Sequence, residues 1–218
     1  MTSNLYILNI ETATKNCSVS LSKNGSTVQI KEISEKGFSH AENLHVFIEE
    51  IIANEKINLK NLSAIAVSEG PGSYTGLRIG VSAAKGLCYA LSIPLIAINT
   101  LEILARNISI SDGFIIPMID ARRMEVYSMI LNSDYSIVRS TEAEIIDETS
   151  YNTIDSKITF VGDAVEKVIP ILSSNSNFNF EVGQPFPTST YMSQISYAKF
   201  LASDFVDVAY FEPYYLKD

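Results

Sequence analysis

A short pattern that occurs twice constrains the fold of this chain more than any other feature. One apolar strand ends in the acid Glu11 and another ends in Asp120, about 110 residues later. Each acid is followed by a polar turn and an apolar segment that folds back, at residues 17–21 and 124–131. The repeat predicts two similar mixed α/β lobes. A chance similarity of two apolar strands is the alternative.

The hydrophobic periodicity predicts strands and helices in alternation. Strands are predicted at residues 5–10, 17–21, 28–33, 64–67, 94–98, 114–119, 124–131, 137–140 and 158–161. Helices are predicted at residues 41–52, 75–91, 101–107, 164–169 and 189–202. Asn24-Gly25 predicts a hairpin, Ser39 is a predicted N-cap, and residues 173–179 are a predicted polar loop. The predicted lobes are residues 1–100 and 101–218, with an aromatic C-terminal tail that packs back on the first lobe.

The charge balance limits the classes of partner. The 218 residues include 16 basic and 25 acidic side chains, for a net charge of −9. This argues against an extended nucleic-acid surface, although RNA held mainly by a partner stays possible. No apolar window approaches 18 residues, and the first ten residues lack a basic flank. We therefore expect a cytoplasmic protein without a membrane segment, in which Cys17 and Cys88 stay reduced.

A glycine-rich segment between a predicted strand and a predicted helix is the sharpest local motif. It departs from both the Walker and the dinucleotide-binding patterns. The glycines and the free N–H groups of the helix start predict an anion or nucleotide-proximal loop. Its candidate residues are Gly70, Gly72, Ser73, Thr75, Gly76 and Arg78. The alternative is a tight strand-to-helix turn without a ligand.

The helices at residues 41–52 and 75–91 carry more apolar surface than one packing face needs. The second helix has small residues at intervals of four, which let another helix approach closely. The sequence therefore predicts a partner interface on these helices. The candidate residues are Leu44, Phe47, Ile48, Ile51, Gly80, Val81, Ala84 and Leu87. Packing in the chain's own core is the alternative.

The two strand-end acids are the candidate cleft residues. Glu11 and Asp120 facing one cleft could hold Mg²⁺ through water, and the alternative is that both are exposed to solvent. No metal is predicted on the two histidines, His40 and His45, because a spacing of five residues places them about 140° apart on a helix. The basic doublet after Asp120, residues 122–123, could contact phosphate.

Several segments together resemble the bacterial TsaB (YeaZ) family over nearly the whole chain. They are Ile7-Leu8-Asn9-Ile10-Glu11-Thr12, His40-Ala41-Glu42-Asn43-Leu44, the run from Gly70 to Gly80 continuing to Leu87, Asp120-Ala121-Arg122, and Pro213-Tyr214-Tyr215-Leu216-Lys217. The Gly-Pro-Gly-Ser-Tyr-Thr-Gly-Leu-Arg run is the most specific of these. Gly162-Asp163-Ala164 resembles a reduced form of the glycine turn that contacts adenosine in this fold.

The resemblance implies an α/β fold of two tandem RNase-H-like lobes of the actin/Hsp70 (ASKHA) type. It implies a non-catalytic scaffold for the machinery that adds threonylcarbamoyl to the adenosine beside the anticodon of tRNA. The implied partners are the metal-dependent TsaD paralogue, a TsaE-type ATPase and tRNA within the complex, with a homodimer when the chain is alone. Metal and ATP or ADP are expected on the partner subunits and no cofactor in this chain.

One departure from the transferase pattern supports the non-catalytic interpretation. The TsaD paralogue holds its metal with an H-x-x-x-H pair, whereas the residue four positions after His40 is Leu44. Glu11 stands where relatives more often have Asp, which weakens a direct Mg²⁺-nucleotide role for the first lobe. The alternative function is an independent hydrolase, either a glycoprotease-like peptidase or an ATPase.

Overall fold

The computed structural model describes residues 4–34 and 40–216, which divide into two compact units. The first unit is Met1–Ile103 with Thr188–Tyr215, and the second is Leu104–Pro187 with Leu216–Asp218. The predicted cap at Ser39 lies outside the described residues. Among the helices of the described residues, none combines the length and the apolar composition that a bilayer crossing requires.

The first unit is built on a five-stranded mixed sheet. Its strands are β1 (Tyr6–Glu11), β2 (Cys17–Lys23), β3 (Ser26–Ile33), β4 (Leu62–Gly70) and β5 (Leu95–Asn99), in the order β3-β2-β1-β4-β5. The pairs β1–β2 and β2–β3 are antiparallel, whereas β4 pairs in parallel with both β1 and β5. Asn24 and Gly25 both adopt positive φ in the β2–β3 turn, as a two-residue hairpin requires, and confirm the predicted hairpin.

Helices cover both faces of this sheet because successive apolar residues of its strands point to opposite faces, so that both faces are apolar. The helices α1 (His40–Glu55) and α2 (Tyr74–Leu91) pack on one face, where Leu8 and Ile10 of β1 join their core. The helix α5 (Met192–Leu201) packs on residues of the other set, which includes Ile7. A short helix, α3 (Thr100–Ala105), follows β5. Burial of each large aliphatic side chain contributes about 1.5–3 kcal/mol.

The second unit repeats the strand order and directions of the first. It contains β6 (Phe114–Asp120), β7 (Glu125–Asn132), β8 (Ile137–Ile145), β9 (Ile158–Val161), the helix α4 (Val165–Leu172) and β10 (Phe178–Glu181). The order is β10-β9-β6-β7-β8, with β6–β7 and β7–β8 antiparallel and with β9 parallel to β6 and β10. Reversed end to end, this is the order of the first sheet. The sequence repeat therefore reflects a structural duplication.

The prediction of a polar loop at residues 173–179 is wrong at its end, where β10 begins. Phe178 and Phe180 alternate within a Ser- and Asn-rich stretch, and each ring packs on Phe160, with centroids 5.3 Å apart. These contacts explain why so polar a segment adds a strand to the sheet. The sequence pattern did not predict this strand, because Phe178 and Phe180 are only two apolar residues in a polar stretch.

The last described segment of the first unit lies along its sheet and α2. Val206 forms an antiparallel bridge with Leu95 of β5, and Phe211 packs against the core. The Tyr214 N–H donates to the Glu69 carbonyl oxygen at 2.7 Å. The aromatic tail is thus held by backbone hydrogen bonds as well as by burial.

Candidate functional site

The glycine-rich segment joins β4 to α2 directly over the turn that follows β1. A Cβ atom on Gly72 would lie 2.3 Å from the Ala13 carbonyl oxygen, and one on Gly76 would lie 2.1 Å from that of Thr12. The Thr12 hydroxyl donates to the Gly76 carbonyl oxygen at 2.8 Å, and the Ser73 N–H donates to Ala13 at 2.7 Å. These distances exclude any side chain at the two glycines, so close backbone packing accounts for them.

Other residues of the predicted anion loop are also engaged by the protein itself. A Cβ atom on Gly70 would lie 2.6 Å from the Tyr214 carbonyl oxygen, and the Ser73 hydroxyl accepts the Gly76 N–H at the start of α2. Arg78 stacks over the Tyr74 ring at 3.9 Å and donates through Nε to the Tyr215 hydroxyl at 3.3 Å. Thr75 is exposed beside them. An anion at this loop stays a prediction.

Glu11, the strand-end acid of the first unit, is sealed from solvent. Its exposed fraction is 0%, and its Oε1 accepts the Ala13 N–H at 2.6 Å. Its Oε2 has no hydrogen-bond partner among the described residues. Burial raises the pKa of this carboxyl to about 7, against the opposing effects of the Ala13 N–H and the nearby Ser68 hydroxyl. A carboxyl in this environment is largely neutral below pH 7.

Asp120, the strand-end acid of the second unit, has 48% of its side chain exposed. Its Oδ1 forms an ion pair with the Lys167 ammonium group and accepts the Arg122 N–H at 2.8 Å. Its own N–H donates to Asp163 Oδ1 at 2.8 Å. No sequence pattern pointed to Lys167, which the fold brings to the end of β6. Because the two acids belong to different units, their pairing across one cleft stays a prediction.

The histidine helix has no pair of imidazoles on one face. His40 is buried, and its Nε2 donates to the Thr14 carbonyl oxygen at 2.7 Å. His45 is exposed on the other side of α1, and Leu44 at the position four after His40 is fully buried in the core. Within residues 4–34 and 40–216, no three His, Cys, Asp or Glu side chains are grouped so that they could hold a metal ion.

The structure places most of the predicted partner-contact residues in the interior of the first unit. Phe47 and Leu87 are half-buried. The others are buried against the unit's own sheet or the turn after β1: Leu44, Ile48, Ile51, Gly80, Val81 and Ala84. These six are therefore corrected to core residues, because strands β1, β2 and β4 need an apolar cover on this face.

The outer face of α2 carries a second row of small residues that the sequence analysis missed. Ser82, Gly86 and Ala90 are all exposed, and the space around Gly86 is open. Tyr74 and Tyr89 flank this row and are 55% and 85% exposed. The signal was present in the sequence, because the exposed row has the same four-residue spacing as the buried row of Gly80 and Ala84. Each exposed residue comes two positions after a buried one. Two positions rotate a helical residue by about 200°, to the opposite face.

A surface groove of about 620 Å³ runs beside this row, between α2 and the C-terminal segment. It is lined by Lys85, Gly86, Tyr89, Asp207, Val208 and Ala209. The Lys85 ammonium group donates to the carbonyl oxygens of Ala209 and Phe211, at 3.1 and 2.8 Å. The C-terminal segment is thereby fixed along one side of α2, and it leaves the row of small residues open.

Comparisons with known proteins give relatives named TsaB and a family model named for a related transferase. Residues 31–197 match the family model described as TsaD, tRNA N6-adenosine threonylcarbamoyltransferase. The chain is 30% identical to the tRNA threonylcarbamoyladenosine biosynthesis protein TsaB of Escherichia coli, over 98% of this chain and 95% of that protein. It is 35% identical to TsaB of Haemophilus influenzae over 57% of this chain, a match that spans 52% of that relative's length.

A solved structure shares the fold. YeaZ from Pseudomonas aeruginosa superposes with a TM-score of 0.84 at 22% identity, covering 97% of this chain and 100% of that one. This similarity confirms the predicted α/β fold, and the repeated strand order confirms that the fold consists of two similar lobes.

Proposed function

Because this chain belongs to the TsaB family, we propose that it is a non-catalytic subunit in tRNA threonylcarbamoyladenosine biosynthesis that docks on the TsaD paralogue. Its relatives carry the name of that biosynthesis, which supports the pathway. The exposed row of small residues on α2 carries the docking part of the proposal. The TsaD family model also matches this chain, which supports a partner of related fold.

Among its described residues, the first unit has no groups that would let it transfer an acyl group with a metal. The position that completes an H-x-x-x-H pair is Leu44, which is buried in the core. The imidazole of His40 is buried and bonded to a backbone carbonyl. The carboxyl of Glu11 has no exposed surface with which to meet a substrate. These features favour a non-catalytic role for this chain, with metal and ATP or ADP bound by the partner subunits.

The outer face of α2 has the composition of a helix-packing surface. Small side chains at Ser82, Gly86 and Ala90 allow the backbone of a second helix to approach closely. Exposed aromatic residues such as Tyr74 and Tyr89 are the side chains that most often anchor an interface. Val46 on the neighbouring α1 is 47% exposed and adds apolar area. A stable heterodimer needs about 1,600 Å² in total, which two such helices per protein can supply.

The test is co-purification of the paralogue with two matched variants. Gly86→Arg places a long charged side chain in the open centre of the row, and we expect at least a tenfold loss of bound paralogue. Ala198→Arg makes a similar change on an exposed position of α5, outside the proposed surface, and should leave binding unchanged. Equal retention of the paralogue by Gly86→Arg and the parent chain would contradict the proposed surface.

The same face accounts for the other expected associations. When the paralogue is absent, two copies of the chain pair through α2, since related surfaces are often mutually compatible. Sedimentation of the parent chain should then show a dimer that Gly86→Arg converts to a monomer. The TsaE-type ATPase and tRNA join through the assembled complex. A nucleotide near Ser73 and Arg78 would lie at the edge of this surface.

A further inference from the structure

Two consecutive arginines adopt a backbone conformation that side chains disfavour. After β6, Arg122 has a φ of 72° and Arg123 a φ of 50°. Both values lie in the left-handed region, where a Cβ atom meets the following carbonyl and glycine or asparagine is preferred. Residues in such conformations persist only where the surrounding structure holds them, and they are concentrated at functional positions.

Hydrogen bonds from three directions hold this turn. The Arg122 N–H donates to Asp120 Oδ1 at 2.8 Å, and the Glu125 N–H donates to the Arg122 carbonyl oxygen at 3.1 Å. The Lys167 ammonium group bonds to Asp120 Oδ1 and also donates to the carbonyl oxygens of Arg123 and Glu125, at 2.9 and 2.7 Å. Lys167 thus neutralises Asp120 and fixes the backbone that presents the two arginines.

The guanidinium groups of this turn differ from the other arginines of the chain. Of the five arginines, Arg78, Arg106 and Arg139 lie over tyrosine rings. Arg122 and Arg123 are exposed, and their side chains have no hydrogen bond or ion pair with any residue in the part of the chain that the structure describes. Two unpaired guanidinium groups on a fixed turn are available to a multi-oxygen anion.

We propose that Arg122 and Arg123 contact the phosphate backbone of tRNA in the assembled complex, an inference that rests on the proposed function. The net charge of −9 makes most of this chain's surface repel RNA, so a local pair of cations would set where RNA can approach it. The guanidinium fork matches two phosphate oxygens, and such contacts position RNA without reading its sequence. An acidic surface on a partner protein is the competing occupant.

The test compares two double variants in the reconstituted complex with the paralogue. Arg122→Gln with Arg123→Gln removes the pair, and Lys56→Gln with Lys60→Gln removes two exposed charges elsewhere. For the arginine variant we expect tRNA affinity to fall roughly tenfold at about 0.1 M salt, and the slope of log affinity against log salt to decrease by about 1.5. The lysine variant should keep both values. Arg122→Lys with Arg123→Lys should keep most of the salt slope.

Retention of the paralogue separates this inference from the proposed function. Unchanged retention together with weaker tRNA binding supports the phosphate contact. Unchanged tRNA affinity and salt slope would overturn it and leave the docking proposal intact. Loss of the paralogue by the arginine variant, with the circular dichroism spectrum unchanged, would overturn it in favour of an acidic protein surface. A parent complex without affinity for tRNA would overturn the inference and the proposed role together.

Discussion

The central strand of each unit ends in an acid, and the two acids differ in burial and in their partners. Glu11 is fully buried, and the two residues after it pack against the glycine-rich segment, whereas Asp120 is half-exposed and paired with Lys167. Glycines at the ends of the corresponding strands β4 and β9, Gly70 and Gly162, share a positive φ of 118° and 129°. The duplication has therefore kept the sheet and its terminal glycine, and the turns around the acids have diverged.

The difference follows from what comes after each terminal glycine. In the first unit two more glycines, Gly72 and Gly76, let the chain lie against the turn after β1. In the second unit Asp163 follows at once and bonds to the backbone of Asp120, and the helix that follows has only eight residues. The first turn is thereby held by backbone packing, and the second is held by an ion pair and hydrogen bonds around a partly exposed Asp120.

The largest expected effect is the loss of the close packing in the first unit. Gly76→Ala places a methyl group 2.1 Å from the Thr12 carbonyl oxygen, so backbone must move, and we expect the free energy of unfolding to fall by more than about 3 kcal/mol. Gly86→Ala on the same helix meets open space and should raise it by about 0.5–1 kcal/mol. Urea denaturation followed by circular dichroism measures both. Similar effects of the two variants would contradict the packing role.

A smaller effect tests the burial of Glu11 through pH. Because the folded-state pKa is raised from 4.5 to about 7, the carboxyl costs nothing below pH 4.5 and disfavours folding increasingly as the pH rises to 7. The penalty above pH 7 is at most about 3 kcal/mol. Glu11→Gln should remove this loss, so the variant's advantage over the parent chain grows from pH 4.5 to pH 8. An advantage independent of pH would contradict the burial of an ionisable carboxyl here.

Removal of Lys167 tests the open turn of the second unit. Lys167→Met keeps the aliphatic stem and deletes the ammonium group that bonds to three oxygens. We expect a loss of about 1–2 kcal/mol, because the ion pair is partly exposed but two carbonyl oxygens also lose a donor. Hydrogen exchange should increase at Glu125, whose N–H bonds within the turn. Unchanged exchange would show that the turn holds without Lys167.

The smallest expected effect is relief of the left-handed conformation. Arg122→Gly should raise the free energy of unfolding by about 0.5–1 kcal/mol, because glycine adopts a φ of 72° without a Cβ contact. Arg139→Gly is the control, since that arginine bonds to Glu144 and should lose stability on substitution. Thermal unfolding resolves the two directions. A loss of stability in Arg122→Gly would mean that this turn carries no strain.

The sequence predicts the strands and helices of both units well, but it does not predict which face of a helix is buried. The strand pattern around Glu11 and Asp120 is sufficient to predict the duplication, because alternation and turn residues are local signals. Helix α2 has small residues at Gly80 and at Gly86, and only the fold shows that the first faces the core and the second solvent. Both signals have the same spacing, so periodicity alone cannot assign the faces.

The candidate site was predictable in its residues and not in their environments. No sequence feature distinguishes the buried Glu11 from the exposed Asp120, because the burial of each acid depends on tertiary packing and not on its neighbours in the sequence. The ammonium group of Lys167 reaches Asp120 from 47 positions away along the chain. The positive φ of Arg122 could not be predicted either, because an arginine in the sequence does not indicate that conformation.

Reconstituted threonylcarbamoyl transfer tests the central claim, that this chain acts by docking and leaves the chemistry to its partner. Three mixtures would contain the paralogue, the ATPase subunit, threonylcarbamoyl-adenylate and tRNA, together with the parent chain, with Gly86→Arg, or without either. A fourth mixture would contain the parent chain as the only protein. We predict modification only with the parent chain together with its partners, and a failure of Gly86→Arg to support it. Transfer to tRNA by the isolated chain, or full modification without it, would contradict the account.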